Sequence, residues 1–391
     1  MNILFLLKGL DLGGLEIVTQ VLANKFVIEG HHVCVFSFLP SPNPVEPLFD
    51  KRIKVLKSNS FSCSKENENL IRKILVEEHI QIVINQWGLP YQPLKVAQKA
   101  ATNLNVKFLS VYHNQPSSNG RLQLVDMQIA ETRCKIKKCC LKVKWKFFEK
   151  ITSASMRYNY NHSDLFLVLS DSFIKNFQNF VHLKITPKLR VQTNPITIDT
   201  EDYSYNASSK TKEILYVGRI DKQQKRVERV IETWALVETK FPEWNLTIVG
   251  DGENRSKVEA LSVELNLKRV SFEGYKSPSK YYNRASILVL TSEYEGFPLV
   301  IAESMARGIV PIVYGSYPAV YDIINNGENG LIVEPQNGQF SSSKMADSLA
   351  SLMSDDDKRE QMANNAISMV KNKFSIDIIY KQWMNLFSEL K

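Results

Sequence analysis

Two apolar runs far apart in the chain, Asn2-Ile-Leu-Phe-Leu-Leu7 and Glu213-Ile-Leu-Tyr-Val-Gly218, each open a series in which buried strands alternate with helical stretches. In the first series Gly13-Gly14 follows the run at once. A helix through Val18, Leu22 and Phe26 then ends at Gly30, and Val33-Cys-Val-Phe-Ser37 is the next strand. Strands at Ile53–Leu56, Ile80–Ile84, Val106–Val111 and Asp164–Ser170 continue it, with helices around Leu70 to Val76 and through Leu94 and Ala97 between them. Runs apolar at every position belong to strands covered on both faces, which means a parallel sheet with crossover helices. After Val191–Ile196 a polar run, Asp199 to Lys212, separates the series, and the second adds Leu246–Gly250, Val270–Phe272, Ala285–Leu290, Ile309–Val313 and Gly330–Pro335. The chain therefore reads as α/β with two Rossmann-like domains in tandem, 1–200 and 201–375, and a final helix, 376–391, apolar on one side at Ile379, Trp383, Leu386 and Leu390. A chain of 391 residues can bury two such cores.

The stretch Ser292-Glu-Tyr-Glu-Gly-Phe-Pro-Leu-Val-Ile-Ala-Glu303 is where this framework reads as a site. It follows a buried strand, and Pro298 stands where a first helical residue belongs, its fixed φ and missing N–H both suited to that place. Strand, tight loop and helix leave the N–H groups of Gly296, Phe297, Leu299 and Val300 unpaired at the positive end of a helix dipole, favourable for phosphate. Glu295 and Glu303, with seven residues between them, would be repelled by a diphosphate and suit neutral hydroxyls instead. A nucleotide sugar carries hydroxyls on both sides of its diphosphate.

Glu295-Gly-Phe-Pro-Leu, then Glu303 and Met305-Ala-x-Gly308 before the strand Ile309–Val313, resembles the donor-site signature of the retaining, GT-B-fold glycosyltransferases of family 4. The resemblance implies two Rossmann-like domains facing across a cleft, with the last helix crossing back onto the first. It gives Glu295 the donor sugar ring and Glu303 the ribose. It sets Gly14 near the donor diphosphate and His113, after the strand ending at Val111, at the C6 end of the donor sugar. Gly218, Arg219, Lys225 and Gly274 fall among the donor contacts on the same grounds. Arg219 and Lys225 follow the family's Gly-Arg-Leu…Lys-Gly pattern, but here Arg226 replaces the last Gly. Either Lys225 or Arg226 could then reach the phosphates. Arg219 and Lys225 are cations at any working pH, a fork and a point charge.

On this reading a nucleoside-diphosphate sugar, UDP-linked by default on family grounds, is a substrate and no separate cofactor or metal is expected. Asp355-Asp356-Asp357 precedes a helix and reads as its cap rather than a metal site. The acceptor is a glycan, lipid-linked if the chain meets a membrane. Two other readings stand beside this one: a GT-B nucleotide-sugar epimerase, which needs acid/base carboxylates that are not read at strand ends of the first domain, and a nucleotide-sugar-binding protein without catalysis.

Composition, 44% hydrophobic and 23% charged, is that of a globular protein, and no apolar run is long enough to span a bilayer. The amino-terminal run lacks the basic flank of a signal peptide, so a cytoplasmic location is expected. Five cysteines without CxxC or disulfide spacing suit a reduced compartment. Net charge is +8, of which Glu131 to Lys150 holds eight bases against two acids. As a helix this segment aligns Ile136, Cys140, Val143, Phe147 and Ile151 on one face with lysines at its flanks; Leu141 to Phe147 alone alternates like a strand, and helix is the favoured reading. An anionic membrane surface at the inner face of the plasma membrane suits it, a solvated face on a core helix is the plainer account, and nucleic acid lacks any accompanying motif.

Overall fold

A computed structural model describes residues 1–42, 44–200 and 203–390, so Glu201 and Asp202 of the polar run lie outside the described residues. The chain divides into two compact units, one of Met1–Thr197 with Ser375–Lys391 and one of Ile198–Phe374.

In the first unit seven parallel strands are β1 (Asn2–Leu7), β2 (His32–Ser37), β3 (Lys54–Lys57), β4 (Ile82–Asn85), β5 (Lys107–Tyr112), β6 (Leu165–Val168) and β7 (Leu189–Val191). Their order is β3-β2-β1-β4-β5-β6-β7. β1 pairs β2 from Asn2 opposite His32 to Leu7 opposite Ser37, and β4 on its other side from Ile3 opposite Ile82. β7 ends at Val191, and Asn194-Pro195 follow it outside the sheet. Two helices escaped the reading, Gly120–Glu131 and Phe173–Val181. The first has its cap in Asn119, whose side chain accepts from Arg121 and Leu122 N–H at 3.1 Å.

The last helix, Ile376–Ser388, belongs to the first unit and packs on helix Gly14–Ile28. Phe26 meets Tyr380, Trp383 and Phe387 with ring centroids 5.8 to 6.2 Å apart. Lys25 Nζ lies 2.6 Å from Asp377, and Arg190 reaches Glu389 at 2.8 Å. The apolar side read from the sequence is thus the buried one.

The basic segment is helical and forms the first half of a 28-residue helix, Lys135–His162. Its second half buries Thr152, Ser153, Met156, Asn159 and Tyr160, while the first half buries Leu141 alone. The stripe is therefore turned to solvent: Ile136 is 78% exposed, Val143 65%, Phe147 59% and Ile151 44%. All eight bases between Arg133 and Lys150 are exposed as well. The five cysteines are free.

The second unit holds six parallel strands, β8 (Glu213–Val217), β9 (Asn245–Val249), β10 (Val270–Gly274), β11 (Ile287–Leu290), β12 (Val310–Tyr314) and β13 (Leu331–Val333), ordered β10-β9-β8-β11-β12-β13. After β8 the chain adds strands on one side, and with β11 it begins on the other. The carboxyl ends of β8 and β11 therefore flank a topological switch point, where open α/β sheets bind ligands.

Candidate active site

Two loops converge at that switch point, and side chains join them. After β8, the turn at Gly218 is set by close backbone packing. A Cβ on Gly250 would stand 1.8 Å from the Gly218 carbonyl oxygen, and both residues take positive φ, +150° and +153°. Gly218 N–H donates to Val249 O at 3.0 Å, so only glycine lets β8 and β9 end this close together. The loop that follows is organised by Asp221. Its carboxylate accepts from Gln224 N–H at 2.6 Å, Lys225 N–H at 3.2 Å and Arg219 Nε at 2.8 Å. Burial opposes that charge, yet these donors hold the carboxyl below its usual range.

From the β11 side Glu295 is buried, and its two oxygens receive Lys225 Nζ at 2.5 Å and Gln224 Nε2 at 3.1 Å. Gln224 Nε2 also donates to Tyr294 O at 3.0 Å, and its Oε1 accepts from Arg219 Nη2 at 3.1 Å. Glu293 N–H donates to Gln224 O at 2.8 Å, tying the loops through the backbone as well. Arg219, Asp221, Gln224, Lys225 and Glu295 thus form one connected group, in which the Arg219 side chain stays 65% exposed.

Lys225 rather than Arg226 faces this group. Arg226 turns away to Glu228 at 2.6 Å and Glu293 at 3.8 Å. Its φ is +53°, the left-handed region that glycine enters at no steric cost.

Pro298 does not open the helix as expected. Its ψ of 86° is not helical, and it caps Leu299–Ala306 from outside. Leu299 and Val300 are the first helical residues, with Gly296 and Phe297 in the loop before them. Glu303 lies one turn in, buried, and accepts from Tyr282 OH at 3.0 Å. Gly274 ends β10 with φ +71° and accepts from Gly250 N–H at 2.9 Å, two strands from β8.

His113 and Gly14 stand in the first unit. His113 follows β5, and its Nε2 lies 2.6 Å from Gln86 Oε1, just past β4. Its Nδ1 is buried without a partner, and burial holds the ring's pKa down to about 3, so the imidazole is neutral. Gly14 is the first residue of its helix. Glu16, in the first turn of helix Gly14–Ile28, has its pKa pushed up to about 7 by burial, with Asp11 adding a smaller push. A Cβ on Gly13 would stand 2.7 Å from its carboxylate. The signal was Glu16 just after Gly13-Gly14, in a stretch that the sequence reads only as the opening of a helix.

The Asp355 cap is as expected: its carboxylate accepts from Lys358 N–H at 2.9 Å. A cavity of about 580 Å³ opens at the amino ends of β8, β9 and β10, beside the Glu213–Arg284 ion pair and so at the opposite end of the sheet from Gly218.

Residues 197–369 match the family described as glycosyl transferases group 1, a stretch that contains every second-unit group just described. Over that stretch, a little under half of the chain, the sequence is similar to glycosyltransferases. It is 24% identical over 389 residues to an uncharacterized glycosyltransferase of Haemophilus influenzae, covering 96% of each chain. It is 28% identical over 322 residues to the N-acetylgalactosamine-N,N'-diacetylbacillosaminyl-diphospho-undecaprenol 4-alpha-N-acetylgalactosaminyltransferase of Campylobacter jejuni, covering 80% of this chain and 81% of that one. Among solved structures, Anabaena HepE in complex with UDP and glucose aligns with a TM-score of 0.76 at 17% identity, covering 99% of both chains. The fold of the chain is GT-B, two Rossmann-like parallel-sheet domains.

Proposed function

We propose that this chain is a retaining, metal-independent glycosyltransferase that moves a sugar from a nucleoside diphosphate, UDP by default, to a lipid-linked glycan in the synthesis of a bacterial cell-surface polysaccharide. The observation carrying this is the convergence of Arg219, Lys225 and Glu295 at the β8/β11 switch point. Arg219 and Lys225 supply permanent positive charge for a leaving diphosphate, and the first N–H groups of helix Leu299–Ala306 add donors on the same loop. The bond from the sugar's anomeric carbon to the phosphate oxygen breaks with its electron pair going to phosphate. The acceptor hydroxyl attacks from the same face, and its proton passes to the departing phosphate oxygen. Glu295 serves the sugar and Glu303 the ribose. UDP in a solved neighbour and the undecaprenyl diphosphate in a relative's name support the choice of base and of acceptor class.

Glu303→Ala is expected to weaken nucleotide binding about tenfold, the worth of one charge-assisted hydrogen bond. Calorimetric titration with UDP checks it, and unchanged affinity would remove Glu303 from the ribose.

The solvent-facing stripe and its lysines suit a membrane in which the acceptor lipid resides, each charge near an anionic surface contributing about 1 kcal/mol. Co-sedimentation with vesicles should rise with anionic lipid content, fall at high salt and be lost in Ile136→Asp/Phe147→Asp. Binding indifferent to lipid charge would count against it.

A second reading draws on Glu16, whose raised pKa suits acid/base work: a nucleotide-sugar epimerase. Incubating donor without acceptor separates the two, because only an epimerase then yields the epimeric nucleotide sugar.

A further inference from the structure

Three side chains of different chemistry meet at the amino end of the first sheet. His32 opens β2 and Cys34 stands two residues on, so both lie on one face of the strand. Glu78 comes to them from the end of helix Lys65–Glu77. His32 Nε2 lies 2.8 Å from Glu78 Oε2 and 3.7 Å from Cys34 Sγ. One ligand atom from each of the three falls within 4.8 Å of the others, and among the described residues this is the one place where three such groups converge.

Hydrogen bonding satisfies only part of the arrangement. A proton on His32 Nε2 can point at Glu78 or at Cys34, not at both, and a thiol is a weak partner for it. A dication between the three atoms engages them all. Tetrahedral zinc, with sulfur at about 2.3 Å and nitrogen at about 2.0 Å, sets those two ligands about 3.5 Å apart. The observed 3.7 Å is close to that. The nitrogen and oxygen must part by about 0.5 Å to reach their own tetrahedral separation, and the His32 side chain, 41% exposed, has room to move. Lys54 opens β3 opposite Cys34, and its Nζ holds the other Glu78 oxygen at 2.5 Å. An outer partner of this kind orients a ligating carboxylate. Thiolate and carboxylate together outweigh the single Lys54 charge, so a cation is still attracted.

We propose that His32, Cys34 and Glu78 form a zinc site that ties helix Lys65–Glu77 to β2, with water as the fourth ligand. The thiol gives its proton to solvent as the zinc–sulfur bond forms. Sulfur and imidazole donors suit Zn(II), whereas Mg(II) and Ca(II) take oxygen ligands. Gly14 and His113 follow the carboxyl ends of β1 and β5, at the other end of the sheet. The metal therefore holds the fold and takes no part in sugar transfer.

Cobalt(II) reports such a site, because a thiolate bound to it gives a near-ultraviolet charge-transfer band. The full chain is used with its exposed thiols removed as Cys134→Ser, Cys139→Ser and Cys140→Ser. One equivalent of Co(II) is expected to produce the band, and Zn(II) to bleach it. Cys34→Ser should abolish the band, and His32→Ala and Glu78→Gln should each weaken cobalt binding at least about tenfold. Zn(II) at about a hundred times its Kd should raise Tm by about 5 °C in the parent and not in His32→Ala. Should Cys34→Ser fail to fold, His32→Ala keeps the test decisive, since it removes a half-exposed ring and spares the core. No band with cobalt, or binding equal in the parent and all three variants, would overturn the proposal.

Discussion

Glu295→Ala is expected to lower turnover about 100-fold while changing donor affinity less than about fivefold, the pattern of a group whose interactions strengthen in the transition state. In the ligand-free protein the buried carboxylate lies between the Lys225 ammonium and the Gln224 amide, and when Lys225 serves the diphosphate the Gln224 amide still orients it towards a sugar hydroxyl. Positive charge that develops on the sugar as the phosphate bond breaks is what such a carboxylate stabilises. Removing it also leaves Lys225 unpaired with little exposure, so part of the loss will appear as lowered stability. Glu295→Gln separates the two effects, because it keeps the shape and an acceptor oxygen and removes only the charge. Rates of nucleoside diphosphate release and titrations with donor check both variants. Unaltered kinetics in each would end the assignment.

Gly250→Ala is expected to cost the second unit about 3 kcal/mol or more, a fall in Tm of roughly 6–12 °C for a unit of this size. The added methyl would stand 1.8 Å from the Gly218 carbonyl oxygen, against backbone that cannot rotate away. The φ of +150° adds strain for any residue with a Cβ. Because the displaced atom belongs to the turn that launches Arg219, nucleotide affinity should fall along with stability. Gly30 is the control: its φ is +83°, but nothing lies within 4 Å of its Cβ position. Gly30→Ala should therefore show only the smaller cost of left-handed backbone, about 1 kcal/mol. Equal effects at the two positions would mean that the contact with Gly218 does not govern the turn.

The strands were legible because parallel strands buried on both faces are apolar at nearly every residue, as in Asn2–Leu7 and Ile287–Leu290. The site was legible in part, since Glu295 and Glu303 stand at a spacing whose chemistry can be argued from hydroxyls and phosphate. Gln224 and Asp221 were not. Neither belongs to a motif; Asp221 organises its own loop through neighbours two to four residues away, and Gln224 reaches Glu295 only when the β8 and β11 loops meet, a long-range event that local sequence does not record. Glu16 escaped for a like reason: its burial is tertiary. The exposed stripe on helix Lys135–His162 shows the converse limit. Its period of 3.6 identified a helix, but periodicity says only that one face is apolar, not what covers it.

The central claim is that Arg219, Lys225 and Glu295 grip an activated sugar through its diphosphate. Calorimetric titration of UDP-, GDP- and ADP-linked sugars into wild type and into Arg219→Ala/Lys225→Ala tests it most directly. One class should bind wild type saturably and lose at least about 100-fold in affinity in the double variant, about 2.7 kcal/mol. Binding of none of them, or binding indifferent to the loss of both cations, would contradict it.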